Sequence, residues 1–326
     1  MSDTGPGKAL TVPVSIPFRS LFHADWSTVA KKRWVASATR IDSGWQMMLP
    51  RPVRDTRAFV NELFTAVGPL FAGFDFPIGV PAVYGQLTGL ADFLTALEVF
   101  GKGEWSEFFL VAETPQQVSR KRPFYPRTYT AASKPKQIHL LHGLRIESID
   151  ALRRQCERPT PTRPRAACPL FWTLGSNQVG KAAISGWQEV IAPARRRGAR
   201  LWPFDGNLTE LATAGVPVLA ETYPAEAYGH VGIAFQARMS KRRQKDRRTA
   251  MVGLFDWARH RGITFSEELI TQVEDGFGAS GDDEDAFDAL VGILGMIEVT
   301  DGRRMERPVD RTCGEAWESW ILRQAA

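Results

Sequence analysis

A chain of 326 residues with 44% hydrophobic and 24% charged residues has the make-up of a soluble globular protein, with room for one large domain or two ordinary ones. No apolar run approaches the ~20 residues that a membrane span needs. Cys156, Cys168 and Cys313 show no CxxC spacing, which argues against zinc or a disulfide framework and for a reduced, cytoplasmic setting. The net charge of +5 is modest but segregated. Basic clusters stand at Arg120–Arg122, Arg195–Arg197 and Lys241–Arg248, and acids gather at Asp282–Asp285. That distribution suits a polyanionic partner, although solvated helix faces would look the same.

Residues 1–17 read as a loose tail without the apolar core of a signal peptide. Short β-prone runs follow at Ser20–Ala24, Arg33–Thr39 and Gly44–Leu49, the last after an Asp42-Ser-Gly44 turn signal. Phe59, Val60, Leu63, Phe64 and Val67 recur at helical spacing and predict a helix over Arg54–Val67. Leu70–Phe76 reads as a buried strand stopped by Pro77 and Pro81. From 82 to 215 the pattern is one of helices, near Leu87–Phe100, Ile146–Cys156 and Lys181–Ala194, joined by proline- and arginine-rich connections. Val216–Tyr223 returns to strand, a helix is expected near Thr249–His260, and a strong last helix over Asp285–Ile297. The expected class is therefore α/β, a mixed sheet flanked by helices. Its core is split between 18–81 and 216–326 by a large helical insertion over 82–215 that follows the central strand.

Several acids stand where burial should forbid them. Asp75 lies within Phe71-Ala-Gly-Phe-Asp-Phe-Pro-Ile-Gly-Val80, and an unpaired buried carboxylate costs several kcal/mol, so a partner or a metal is expected. Asp25 ends the apolar run Leu21–Ala24 in the same way; a turn-capping aspartate is the other reading of both. Asp285 and Asp288 share one helix face, and helix capping explains Asp288 poorly because it sits amid Ala286, Phe287, Ala289 and Leu290. Glu221 is an acid inside an apolar strand, either a further ligand or half of a salt bridge to an arginine. Oxygen donors without histidine or cysteine suit Mg2+ or Mn2+, and two such ions can activate water against a phosphodiester.

An acid ending the first strand, an acid on a central strand and acids on the last helix resemble the ribonuclease-H-like superfamily. More narrowly, Gly73–Pro81, Glu221–Ala225 and Asp285–Leu290 are similar to motifs of domain of unknown function 429, a family described as predicted RNase-H-like nucleases. Asn177–Gly180 and Glu318–Leu322 also resemble its pattern, and the likeness spans about Phe18 to Leu322. The resemblance implies a ribonuclease-H-like mixed sheet, with Asp25, Asp75 and Asp288 as catalytic metal ligands and Asp285 and Glu221 supporting them. It also places Lys241, Lys245 and Arg248 where that family tends to be basic, as phosphate contacts.

Competing signals are weaker. Gly175–Ala182 mimics a phosphate-binding loop but has Ala182 where a serine or threonine would hold magnesium. His23 would share a strand face with Asp25, and a packed histidine is the simpler reading. The sequence thus points to a divalent-metal-dependent nuclease acting on DNA or RNA, cytoplasmic and without a membrane partner. The other readings are a catalytically silent nucleic-acid-binding or scaffold protein of the same fold, and a phosphotransferase.

Overall fold

Short, nearly continuous apolar runs buried on both faces build the centre of the sheet. In the computed structural model, which describes residues 15–129, 134–160, 163–174, 179–280, 283–308, 316–322 and 324, β1 (Ser20–Asp25), β2 (Trp34–Ile41) and β3 (Gly44–Met47) form an antiparallel meander. β4 (Arg51–Pro52) pairs with the start of β2. After the helix Thr56–Leu63, capped by the Asp55 carboxylate on the Ala58 amide, β5 (Leu70–Phe74) runs parallel to β1. β6 (Arg200–Leu201) and β7 (Val218–Glu221) extend the sheet on that side, and β8 (Ile263–Phe265) pairs parallel to β3 at the far edge. The order is β6-β7-β5-β1-β2-β3-β8, a mixed sheet with helices on both faces, as the sequence led one to expect of an α/β chain.

Side chains alternate between the two faces of the strands. Leu21, Phe71, Val218 and Ala220 point to one face and pack with Ile293 and Ile297 of the long helix Asp283–Thr300. That helix is apolar on every side because the sheet covers one flank while Met251, Leu254 and Ala258 share its core on another. Phe22, Ala24, Ala72, Phe74 and Leu219 point the other way, into a core shared with Phe59, Phe93, Phe108, Phe124, Phe171 and Trp187. The region 82–215 therefore does not hang off the sheet; it supplies much of one core.

Local chemistry explains where the elements depart from expectation. The pattern over Leu87–Phe100 breaks into helices Ala82–Thr88 and Phe93–Val99, because Gly89 takes a left-handed cap and Asp92 accepts the Thr95 amide at 2.7 Å. Over Ile146–Cys156 there are only two short 3-10 turns; the helix lies earlier, at Ile138–Leu144, and ends where Arg145 turns left-handed. β6 adds a strand inside the stretch read as helical. β8 and the helix Glu267–Asp275, capped by Ser266, lie where no element was expected. Ile16, within the expected tail, is buried and bonds its amide to the Thr300 carbonyl at 2.7 Å. Residues 1–14, Cys313 and Gly175–Gln178 of the loop-like motif lie outside the described residues.

Candidate active site

On β1, Leu21, His23 and Asp25 face the long helix; on β5 and just beyond it, Phe71, Gly73 and Asp75 do the same. The parallel register pairs Ala24 with Phe74, and the Asp75 amide donates to the Ala24 carbonyl at 3.1 Å. Asp25 and Asp75 thus stand side by side at the carboxyl ends of parallel strands. The helix comes close because small residues let it. A Cβ on Gly292 would lie 2.1 Å from His23 Nε2, and one on Gly73 would lie 2.6 Å from Met296 Sδ. His23 is buried and hydrogen-bonded to Thr222 Oγ1 at 2.8 Å, a packed histidine two residues short of the acids.

The first turns of the helix bring Glu284, Asp285 and Asp288 to the same end. Asp288 is buried, and Tyr228 Oη donates to its Oδ1 at 2.6 Å. Lys241 Nζ donates to Asp288 Oδ2 and lies 3.1 Å from Glu284 Oε1. Burial raises the Asp25 carboxyl well above its usual value, and Asp288, Asp75 and Asp285 push it further; Lys241 opposes them. Asp75 is raised to about 7, by burial first and then by Asp288. Asp288 is raised by burial, against the pull of Lys241 and Tyr228. Lys241 is held above the ordinary lysine range: burial alone would lower it, but Asp288 and Glu284 outweigh that. Among the described residues, neither Asp25 nor Asp75 has an ion-pair partner of its own.

Glu221 points to the opposite face. Its carboxylate accepts from Arg154 Nη2 at 2.7 Å and Nη1 at 2.5 Å, from the Ile78 amide at 2.7 Å and from Ser319 Oγ at 2.8 Å. Arg154, fully buried, also binds Glu157. Of the two readings of Glu221, the salt bridge is the one that the geometry realises; its oxygens are committed to structure, although its charge still raises Asp75.

Beside Asp75 opens a cleft of about 760 Å³ between the strand ends and the insertion. Asp75, Tyr223 and Lys241 line its floor, and Lys32, Arg165 and Lys181 bring positive charge to its walls. None of these last three was singled out in sequence as a substrate contact: Lys32 ends a short 3-10 turn, Arg165 falls in the proline-rich connection, and Lys181 belongs to the loop-like motif that lacked its serine or threonine. Lys245 and Arg248 are exposed on the helix Gln244–Ala250 and are not among the residues lining the cleft. The other basic clusters serve the fold. Arg120 donates to the Leu87 carbonyl and Arg122 to those of Leu110 and Val111. Lys121 pairs with Glu104, Arg195 with Asp205, and Arg197 stacks on Phe64.

The acids offer hard carboxylate oxygens, the donor type that Mg2+ and Mn2+ take, from two strand ends and a helix around a resident cation, the Lys241 ammonium. As the side chains stand, no three acid, histidine or cysteine groups among the described residues close around one point. No helix among the described residues is long and apolar enough to cross a membrane. In comparisons with known proteins, no family model matches the chain, and no curated protein or solved structure shows significant similarity to it.

Proposed function

We propose that the protein is a divalent-metal-dependent nuclease that hydrolyses phosphodiester bonds of DNA or RNA, with Mg2+ or Mn2+ held by Asp25, Asp75 and Asp288. The observation that carries this reading is the mutual electrostatic coupling of those three carboxylates, from β1, the end of β5 and the long helix, with Asp75 opening onto a cleft whose walls are cationic. Asp285, whose charge reaches Asp25, and Glu284 are the supporting acids. In favour of the ribonuclease-H-like reading is the meander β1–β2–β3 continued past β1 by parallel β5 and β7, with acids at the strand ends.

Bound there, divalent metal supplies an activated water and neutralises charge on the scissile phosphate. The chain's own groups do the rest. Tyr228 fixes the Asp288 carboxylate by donating to Oδ1. The adjacent strand ends hold the Asp25 and Asp75 backbones side by side. Arg165, Lys181 and Lys32 attract the phosphate backbone of the substrate.

Labelled single- and double-stranded DNA and RNA, incubated with Mn2+ or Mg2+, test the proposal. Cleavage that requires the metal and disappears in a folded Asp75→Asn variant is the expected result. Cleavage that survives Asp75→Asn, or none on any substrate, overturns it. Salt-sensitive binding without cleavage favours the silent binding or scaffold protein; thermal stabilisation by ATP and not by divalent metal favours the phosphotransferase.

A further inference from the structure

Among the described residues Lys241 is the cation in contact with Asp288, while Arg242 reaches only the Glu284 carboxylate at 3.8 Å, and the position of Lys241 invites a specific role. The Lys241 backbone is fixed: its carbonyl accepts from Arg247 Nη1 at 2.5 Å, and Arg247 is itself pinned to the Gly276 and Gly278 carbonyls at 2.8 and 2.7 Å. The Ser240 amide is tied to Asp246 at 2.8 Å. Only the side chain is free to move, and it is two-fifths exposed, whereas the Asp288 side chain that it contacts is 7% exposed. Lys241 also lines the cleft, so its ammonium can leave the acids without crossing packed protein. When it leaves, Asp288 keeps its orientation through Tyr228.

We infer that Lys241 is an internal counter-ion which divalent metal displaces from Asp288 and Glu284, and that the released ammonium turns into the cleft to bind a phosphate of the substrate. This rests on the metal-site reading above. A metal ion and the Lys241 ammonium on the same buried Asp288 carboxylate repel one another strongly, so metal entry favours lysine departure. In the absence of metal the lysine limits repulsion within the cluster. In its presence the same charge is delivered to the cleft, where an anion is to be bound. Loading with metal and readiness for phosphate are thereby coupled.

Trace acetylation of the wild-type protein, read by mass spectrometry at Lys241, tests the exchange directly. Lys245, exposed four residues away, is the internal reference. Saturating Mn2+, against sodium chloride of equal ionic strength, is expected to raise Lys241 labelling on the order of tenfold, equivalent to ~1.4 kcal/mol. Lys241→Met is expected to bind Mn2+ more tightly by calorimetry and Lys241→Arg no more tightly than wild type. Mn2+ binding to wild type with Lys241 labelling unchanged overturns the exchange and leaves the metal site standing. Mn2+ binding to Lys241→Met alone also overturns it, since a lysine that wild type never releases is not displaced by metal. No Mn2+ binding to wild type or to either variant removes both the metal site and the exchange.

Discussion

Asp75 lies directly beside Asp25, one residue past the Ala24–Phe74 pair at the carboxyl ends of two parallel strands, with its amide on the Ala24 carbonyl. The backbone sets the two acids side by side, and the charge of Asp75 raises Asp25. Their raised carboxyl values follow from that geometry together with burial.

Stability without metal should therefore fall as pH rises. Asp75 titrates at about 7 in the folded protein, against ~3.9 for an ordinary aspartate. Between those values the folded state holds a proton that the unfolded chain has released. The folded state binds more protons there, so stability decreases through the window and the decline is complete above pH 7. Shared among the coupled acids, the decline is on the order of a few kcal/mol. Urea unfolding between pH 4 and 8 in a chelator measures it, with Asp75→Asn giving a shallower slope. A wild-type profile that is flat over that range would contradict the electrostatics.

Glu221 and Asp288 should separate cleanly when each is neutralised. Glu221→Gln is expected to lower stability, since Arg154 keeps only one of its two buried anions, while Mn2+ affinity is retained. Asp288→Asn is expected to abolish Mn2+ binding. Arg154→Met leaves Glu157 and Glu221 without their cation and should cost about 3–5 kcal/mol. Calorimetric titration of Mn2+ alongside urea unfolding reads both; equally weakened metal affinity in Glu221→Gln and Asp288→Asn would show Glu221 to be a ligand.

Gly292→Ala should be costly for a substitution of one methyl group. The new Cβ would meet the His23 ring at 2.1 Å, with His23 held by Thr222. Overpacking of this kind costs roughly 1–3 kcal/mol, and the helix that must shift carries Asp288. A lowered melting temperature with weakened Mn2+ binding is expected; an unchanged protein would mean that the helix does not depend on that close approach.

Binding of single-stranded nucleic acid should depend on the cleft walls and not on the conspicuous basic runs. Replacing both Arg165 and Lys181 by alanine is expected to reduce the slope of log affinity against log salt by about 1.4, at ~0.7 for each phosphate no longer neutralised. Lys121→Ala, whose ammonium is paired with Glu104, should leave that slope unchanged. The opposite ranking would place the nucleic acid elsewhere on the surface.

The central strands and the long helix were legible because periodicity is local: Phe22, Ala24, Phe74 and their neighbours announce a buried sheet within a few residues. Asp25, Asp75 and Asp288 stood out for the same reason, as charges inside apolar runs. What could not be read was pairing at a distance. Nothing local links Lys241 to Asp288, 47 positions on, or Arg154 to Glu221, 67 positions on. Basic clusters proved poor guides, because an arginine that serves a carbonyl and one that faces solvent look alike in sequence. The insertion resisted for a related cause: its short helices end at Gly89 and Arg145 and its 3-10 turns carry no long stripe.

One segment fixes how these parts meet. The Glu318 carboxylate accepts from the Ala82 and Gln155 amides at 2.8 Å each, and Ile321 bridges to Glu221 on β7. The same few residues thus tie the insertion, which walls the cleft, to the strand beside its floor. The Arg154 and Glu157 side of the cleft, beside Gln155, is thereby fastened to the strand at its floor. On the nuclease reading proposed above, that side of the opening is a gauge of set bore and not a jaw that closes on what has arrived.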